Sequence, residues 1–268
     1  MLETVRNAFK LKEIRSRIIY TLLMLVVVRI GTQLPIPGVN GSYFSEWFSG
    51  NSGSAFGFFD AITGGSFEKM SVFALNITPY ITSSIIIQLL TIAIPKLEEL
   101  QKDGEEGRKK MTAITRYLTV ALALMESLAM AIGFGRSGLL IKFNALNVIT
   151  AVVTLTAGST VIMWIGERIT ENGVGNGISI VLTINIISRI PQDLTLLFEQ
   201  FVKGKEIAFQ VLNLAIIIAI IIVVTVLTVA LQGAERRIPV QYSRKVQGRK
   251  QVGGQTSHIP LKVNTAGV

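Results

Sequence analysis

Few residues of this chain could carry covalent or acid–base chemistry. It has no cysteine and a single histidine, His258, so thiolate and multi-histidine metal sites are excluded. The sequence also lacks a Gly-x-Ser-x-Gly elbow, a His-Glu-x-x-His pair and a glycine-rich nucleotide loop. Glu126 lies inside a long apolar run, and a lone carboxylate has no second group with which to share general acid–base catalysis. We therefore expect no catalytic residue, no metal and no cofactor.

The chain contains several long apolar segments. Half of its 268 residues are hydrophobic and only 16% are charged, which is typical of a membrane protein rather than a soluble domain. A helix needs about 20 residues to cross a hydrocarbon core of about 30 Å. The segments that approach this length are roughly 18–34, 72–94, 112–132, 145–165, 178–190 and 211–231. The fifth of these six is short, follows a glycine-rich stretch and is predicted to stop at Pro191.

Basic residues are unevenly shared between the two sides of these segments. The N-terminus, the second and fourth loops and the tail carry 19 Lys and Arg, whereas the three opposite loops, with Arg189 among their residues, carry six. Because cytoplasmic loops collect Lys and Arg, this predicts a cytosolic N-terminus and tail. The basic amphipathic segment 1–17 is predicted to lie on anionic lipid, and Arg29 is predicted to snorkel to the interface.

Two regions outside the apolar segments have their own patterns. Residues 60–75 are too polar to span a membrane and are predicted to form a short helix against or inside the protein. After residue 231, Ile238 and Val240 alternate with polar residues, and a second alternating run follows Gly253-Gly254. That pattern predicts a basic β-ribbon that projects from the membrane.

Motifs along the chain resemble those of the SecY family, the central subunit of the bacterial protein translocation channel. They are RIGTQLPIPG (29–38), TGGSFEKMSVFAL (63–75), NITPYITSSIIIQLL (76–90), KDGEEGRKKMTAITRY (102–117), GERITENGVGNGIS (166–179), ERRIPVQY (235–242) and SHIPLKVNTAGV (257–268). The resemblance implies an all-α, polytopic membrane bundle with a five-helix half at 18–190, a loop and sixth helix at 191–231, and a cytosolic basic loop at 232–268. The family has ten membrane helices in two inverted halves, so this chain is expected to be truncated where the seventh would begin.

The resemblance implies a pore ring on helices two and five and a plug next to it. The ring positions are Ile77, Ile81, Ile178 and Leu182, and the i, i+4 spacing of each pair places it on one helix face. A narrow aliphatic ring repels water and blocks ions, yet yields to a passing chain. The plug would span 60–70, including Asp60, Ala61, Ile62, Thr63, Gly64, Gly65, Ser66 and Phe67. The alternatives are ordinary bundle packing for the ring and a re-entrant or surface loop for the plug.

The same resemblance implies a lateral gate and a docking surface. Polar residues at Asn76, Thr78, Thr82 and Glu126 would keep the gate closed until a signal sequence replaces their contacts. Basic residues would dock the ribosome and the SecA motor, and they are Arg108, Lys109, Lys110, Arg236, Arg237, Arg244, Lys245, Arg249 and Lys250. Phosphate attraction favours the ribosome. The alternative for these basic residues is the topological charge bias alone.

The function implied is passive conduction in the bacterial cytoplasmic membrane. Unfolded preproteins would cross the pore and apolar segments would leave sideways into lipid, driven by translation or by the SecA ATPase. Expected partners are the SecE and SecG subunits, SecA, the ribosome, signal peptides, nascent chains and anionic lipids. The alternative is half of a secondary transporter, which also uses inverted repeats and broken helices but needs a polar midplane site.

Overall fold

The computed structural model describes residues 11–51, 55–204, 207–240, 245–247, 250–252 and 257–263. Within these ranges nine α-helices precede four short strands, which confirms the predicted helical bundle with a small β-ribbon. The helices are α1 (Lys12–Gly31), α2 (Gly41–Asn51), α3 (Ala55–Thr63), α4 (Thr78–Ala93), α5 (Pro95–Lys102), α6 (Gly104–Gly133), α7 (Ala145–Asn172), α8 (Gly177–Phe201) and α9 (Ile207–Gly233). The chain divides into two compact units, Met1–Gln192 and Asp193–Val268.

The chain is a multi-pass membrane protein, with fewer unambiguous spans than the six that the sequence predicts. Among the described residues, α6, α7, α8 and α9 are long and apolar enough to cross a membrane. A fifth span exists if α4 and α5 are taken together, although they meet at an angle of 104°. Helix α4 has only 16 residues, or about 24 Å, because residues 64–77 form turns before it begins.

Helix α1 is not among these spans. It carries charged residues near both of its ends. Arg29 is in its last turn, and its guanidinium donates hydrogen bonds to the carbonyl oxygen of Ile184, at 2.6 Å, and to the hydroxyl of Ser188. The side chain of Arg29 is thus held by α8, and its snorkelling to the interface stays a prediction. The contact ties the C-terminal end of α1 to the middle of α8.

Helix α8 runs through Pro191, so the prediction that this proline ends the fifth segment is wrong. A proline removes one helical hydrogen bond, but membrane helices tolerate that loss when neighbouring groups satisfy the freed carbonyl. The longer helix includes Arg189, which was predicted to lie in a loop.

The strands form the predicted ribbon in two antiparallel pairs. Strands β1 (Glu235–Val240) and β4 (Ser257–Lys262) pair with Ile238 opposite Ile259. Strands β2 (Lys245–Gln247) and β3 (Lys250–Val252) form the second pair. Alternation of apolar and polar residues predicts β1 and β4, because successive side chains of a strand point to opposite faces, but it does not predict β2 and β3.

Two apolar cores hold the first unit together. One contains Phe44, Phe67 and Leu155 and packs α2, the segment after α3, and α7. The other contains Ile77 and Val181, and it brings α1, α4, α7 and α8 together. The second core is where the predicted ring residues lie.

Candidate channel constriction and plug

The start of α8 is fixed in place by a cap and by a close helix contact. The side-chain oxygen of Asn176 accepts hydrogen bonds from the backbone N–H of Ile178, at 3.1 Å, and of Ser179, at 3.4 Å, as an N-cap residue does. A Cβ added to Gly177 would lie 2.1 Å from the carbonyl oxygen of Gly166 on α7. Only glycine allows this approach, so the Gly166–Gly177 contact sets where Ile178 points.

The start of α4 is defined by a tight turn just before it. Asn76 is buried and has a left-handed φ of +50°, a conformation that is uncommon for residues other than glycine. Ile77 follows at the N-cap, and its carbonyl oxygen accepts the N–H of Ile81 at 3.1 Å. Ile77 and Ile81 therefore sit one helical turn apart on the same face of α4.

The structure brings the four predicted ring residues into one apolar cluster. Ile77 is 1% exposed and belongs to the core formed with Val181. Ile81, Ile178 and Leu182 are partly buried and pack against that core. The four side chains thus share one apolar environment, and their role as a pore ring stays a prediction.

The predicted plug segment is buried against the protein instead of lying on its surface. The side chains of Asp60, Thr63 and Ser66 are fully buried. The hydroxyl of Ser66 donates to the carbonyl oxygens of Thr63, at 2.8 Å, and of Phe73, at 3.1 Å, which closes the turn after α3. These bonds hold the segment in one conformation.

Phe67 anchors one side of the segment in an aromatic cluster. Its ring lies 4.9 Å from that of Phe59 and 5.2 Å from that of Phe44, both edge-on, measured between ring centroids. Edge-to-face pairs at this separation are favourable beyond their buried area. The cluster draws on α2 and α3, so it fixes the segment from the side of those helices.

The opposite side of the segment contacts α8 two turns beyond Ile178. Gly64 has a φ of +69°, and a Cβ added to it would lie 2.7 Å from the carbonyl oxygen of Asn185. Arg189 forms ion pairs with Asp60 and, at 3.3 Å, with Glu68. The segment therefore lies directly on the helix that carries two of the ring residues.

Sequence reasoning missed the residues that make this contact. The sequence predicts Arg189 in an external loop, places Glu68 in the plug without a partner, and assigns no role to Asn185. The signal available was two acidic residues in a polar segment and one basic residue near the end of a span. Pairing them required knowing that residues more than 120 positions apart are neighbours.

Comparison with known proteins decides the family. A family model named SecY matches residues 71–268. The protein translocase subunit SecY of Streptomyces scabiei is 42% identical over 282 residues, covering 100% of this chain and 63% of that protein. That of Pseudomonas aeruginosa is 41% identical over 258 residues, covering 96% of this chain and 58% of that protein. The chain belongs to the SecY family. It spans about three fifths of the length of these relatives.

Solved structures agree on the fold of this SecY-family chain. A structure described as "The structure of a protein conducting channel" matches with a TM-score of 0.56 and 19% identity, covering 92% of this chain and 52% of that one. Sec61 in a canine ribosome–channel complex matches with a TM-score of 0.54 and 18% identity, covering 84% and 49%. These matches show that the chain shares the fold of those structures.

The residues predicted for the lateral gate lie in different surroundings in this SecY-family chain. Asn76 is buried, Thr78 is partly buried and Thr82 is exposed. Glu126 is half-buried and lines an apolar cavity of about 390 Å³. The other lining residues are Phe56, Phe59, Phe67, Leu75, Ala129, Met130 and Phe134. Asn76, Thr78 and Thr82 do not line this cavity, so a shared gate network stays a prediction.

The predicted docking residues fall into two groups. Arg108, Lys109 and Lys110 are exposed on α6, but Lys109 pairs with Glu105 at 3.0 Å and Lys110 with Glu106 at 3.2 Å. Arg236 and Arg237 are exposed on β1. Lys245 and Lys250 belong to β2 and β3, and Arg244 and Arg249 lie outside the described residues. Of the ribbon's predicted docking residues, Arg236 and Arg237 are the ones whose side chains the structure describes.

Proposed function

We propose that this chain supplies a pore ring and plug to a protein-conducting channel of the bacterial cytoplasmic membrane. The observation that carries the proposal is the convergence of Ile77, Ile81, Ile178 and Leu182 on one apolar cluster next to a buried plug segment. Relatives named protein translocase subunit SecY support it. Unfolded preproteins would pass the ring, and apolar segments would leave sideways into lipid.

The ring acts as a seal because its side chains are aliphatic and offer no hydrogen bonds. Water withdraws from a narrow apolar constriction, and ions cannot cross without their hydration. A polypeptide in transit displaces the side chains, which have no directional bonds to break. The plug adds a second barrier, since its buried turn lies against α8 beside the ring positions.

The gate would open between helices when a signal peptide inserts. Exposed Thr82 and partly buried Thr78 offer polar groups on α4, and Glu126 offers a carboxylate beside an aromatic cavity. Small polar side chains in membrane helices form exchangeable interhelical hydrogen bonds of modest strength. A signal peptide replaces such contacts at little cost.

Partners supply the energy and complete the assembly. The chain has no nucleotide-binding loop, so the driving force comes from translation or from the SecA ATPase. We assign the ribosome, SecA, the SecE and SecG subunits, signal peptides and nascent chains as partners. The charge bias sets the N-terminus and the β-ribbon in the cytosol, where basic residues near the membrane also contact anionic lipids.

The β-ribbon is the proposed ribosome-docking surface. Reversing the charge with Arg236→Glu and Arg237→Glu is expected to weaken co-sedimentation with ribosomes and to reduce its dependence on salt. Lys142→Glu with Lys203→Glu is the matched control, since both residues are exposed and lie in loops predicted on the opposite side of the membrane. Equal loss of binding in both variants, or none in the ribbon variant, refutes docking at the ribbon.

Photo-cross-linking tests the channel directly. A photoreactive residue replaces Leu182 in membranes that hold a ribosome-stalled secretory protein. The control probe replaces Ile187, which is exposed and lies about 140° around α8 from Leu182. We expect the translocating chain to react with the probe at 182 and not with the probe at 187. Equal labelling at both positions, or labelling at neither, rejects a pore at this cluster.

A further inference from the structure

We infer that Arg189 is the residue that positions the plug, through its ion pairs with Asp60 and Glu68. The inference rests on the proposed role of the plug segment and names what holds it. Asp60 and Glu68 lie at the two ends of that segment's turn, and Arg189 lies on α8 two turns beyond Leu182. One guanidinium thereby ties both ends of the plug to a ring helix.

Burial makes this ion pair costly to break by removing one partner. The side chain of Asp60 is 0% exposed, that of Arg189 is 12% exposed and that of Glu68 is 24% exposed. A buried carboxylate is costly unless a cation and hydrogen-bond donors compensate it. The second carboxylate oxygen of Asp60 accepts the backbone N–H of Glu68 at 2.8 Å, so Asp60 also fixes the turn itself.

The two anchors of the plug differ in what can release them. The Phe67 anchor is apolar and involves α2 and α3, so it does not link the segment to the ring. The Arg189 anchor is ionic and reaches α8, and ion pairs weaken steeply as water replaces a low-dielectric surrounding. Water that enters with a translocating chain would loosen the α8 contact while leaving the aromatic contact intact. The plug would then leave α8 while the contacts of Phe67 with α2 and α3 persist.

The chain offers a clean way to measure plug release, because it contains no cysteine. Ser66→Cys places a thiol in the fully buried turn, and Ser127→Cys places one in the fully buried contact between α6 and α7. Labelling by a small water-soluble maleimide in detergent micelles reports local opening at each thiol. Ser127 serves as the control for general unfolding.

Each variant has a defined expected rate. Arg189→Gln leaves a buried carboxylate uncompensated, so labelling at the Ser66→Cys reporter should rise at least about tenfold while the Ser127→Cys reporter stays within about twofold. Arg189→Lys should fall between wild type and Arg189→Gln, because an ammonium lacks the forked geometry. Adding Asp60→Asn to Arg189→Gln should slow labelling again, since it removes the stranded charge. Lys142→Gln, at an exposed position outside the segment, should leave the rate unchanged.

Three results would overturn the inference. They are a Ser66→Cys rate in Arg189→Gln within about twofold of wild type, a parallel rise at both reporters, and a double variant that labels faster than Arg189→Gln alone. Labelling needs no conduction, so it separates this inference from the proposed function. If Arg189→Gln releases the turn but the probe at 182 reacts with no translocating chain, the contact is real and the channel assignment fails.

Discussion

Replacing Gly64 with alanine should destabilise the contact between the plug and α8 in two ways. The alanine would adopt a left-handed backbone conformation, and its Cβ would also clash with α8. The new Cβ would lie 2.7 Å from the carbonyl oxygen of Asn185, which is a backbone atom and cannot rotate away. A left-handed φ costs a residue with a Cβ about 1–2 kcal/mol. Overpacking adds about 1–3 kcal/mol. Because alanine lowers the conformational entropy of the unfolded chain, about 0.4–1 kcal/mol of this destabilisation is offset.

Gly104 provides a matched control for this prediction. Its φ is +70°, nearly the same as the +69° of Gly64, but a Cβ there meets nothing within 4 Å. Gly104→Ala therefore carries the conformational cost and the entropy gain without the clash. The free energy of unfolding should fall by about 1–3 kcal/mol more in Gly64→Ala than in Gly104→Ala.

Denaturant unfolding of each variant in detergent micelles measures this difference. The loss in Gly64→Ala is limited by the free energy that holds the plug on α8, because the segment can escape the clash by leaving the helix. The Ser66→Cys reporter detects that escape as faster labelling. A Gly64→Ala protein as stable as Gly104→Ala and with a slow reporter would refute the packing of the plug against Asn185.

Two further substitutions test how the ring is built. Asn176→Ala should destabilise the protein by about 1 kcal/mol, because α8 loses a capping acceptor, whereas Asn144→Ala at the N-cap of α7 should have little effect since its side chain makes no cap hydrogen bond. Ile77→Ala should cost about 2–4 kcal/mol through the cavity it leaves, and Ile92→Ala, at a position 86% exposed, under about 0.5 kcal/mol. Unfolding in detergent measures both pairs, and equal losses within either pair would contradict the assignment.

The sequence predicts the ribbon, and the shared helix face of each pair of proposed ring residues, because both depend on local spacing. An i, i+4 pair of aliphatic residues stays on one helix face whatever surrounds it, and alternation marks a strand. That Ile77 and Leu182 lie in one cluster depends on tertiary packing, and only the family resemblance predicts it. Composition alone left ordinary packing open.

The structure differs from the sequence-based predictions in the length of α4, at Pro191 and at Arg189. The turn at Asn76 shortens α4, and no residue pattern marks a left-handed asparagine in advance. Pro191 was read as a stop because proline lacks an N–H, whereas α8 accommodates it. Arg189 is predicted to lie in a loop but pairs with Asp60 from α8, and the guanidinium of Arg29 also bonds to α8 across a long sequence separation.

Ion conductance of membranes that carry the protein tests the central claim most directly. Ile81→Asn places a carboxamide among the clustered ring residues, and Ile92→Asn places the same group on an exposed part of α4. A water-repelling seal predicts that Ile81→Asn raises the resting ion leak while Ile92→Asn leaves it at the wild-type level. Unchanged leak in Ile81→Asn, or the same increase in both variants, would contradict a seal formed by α4 and α8.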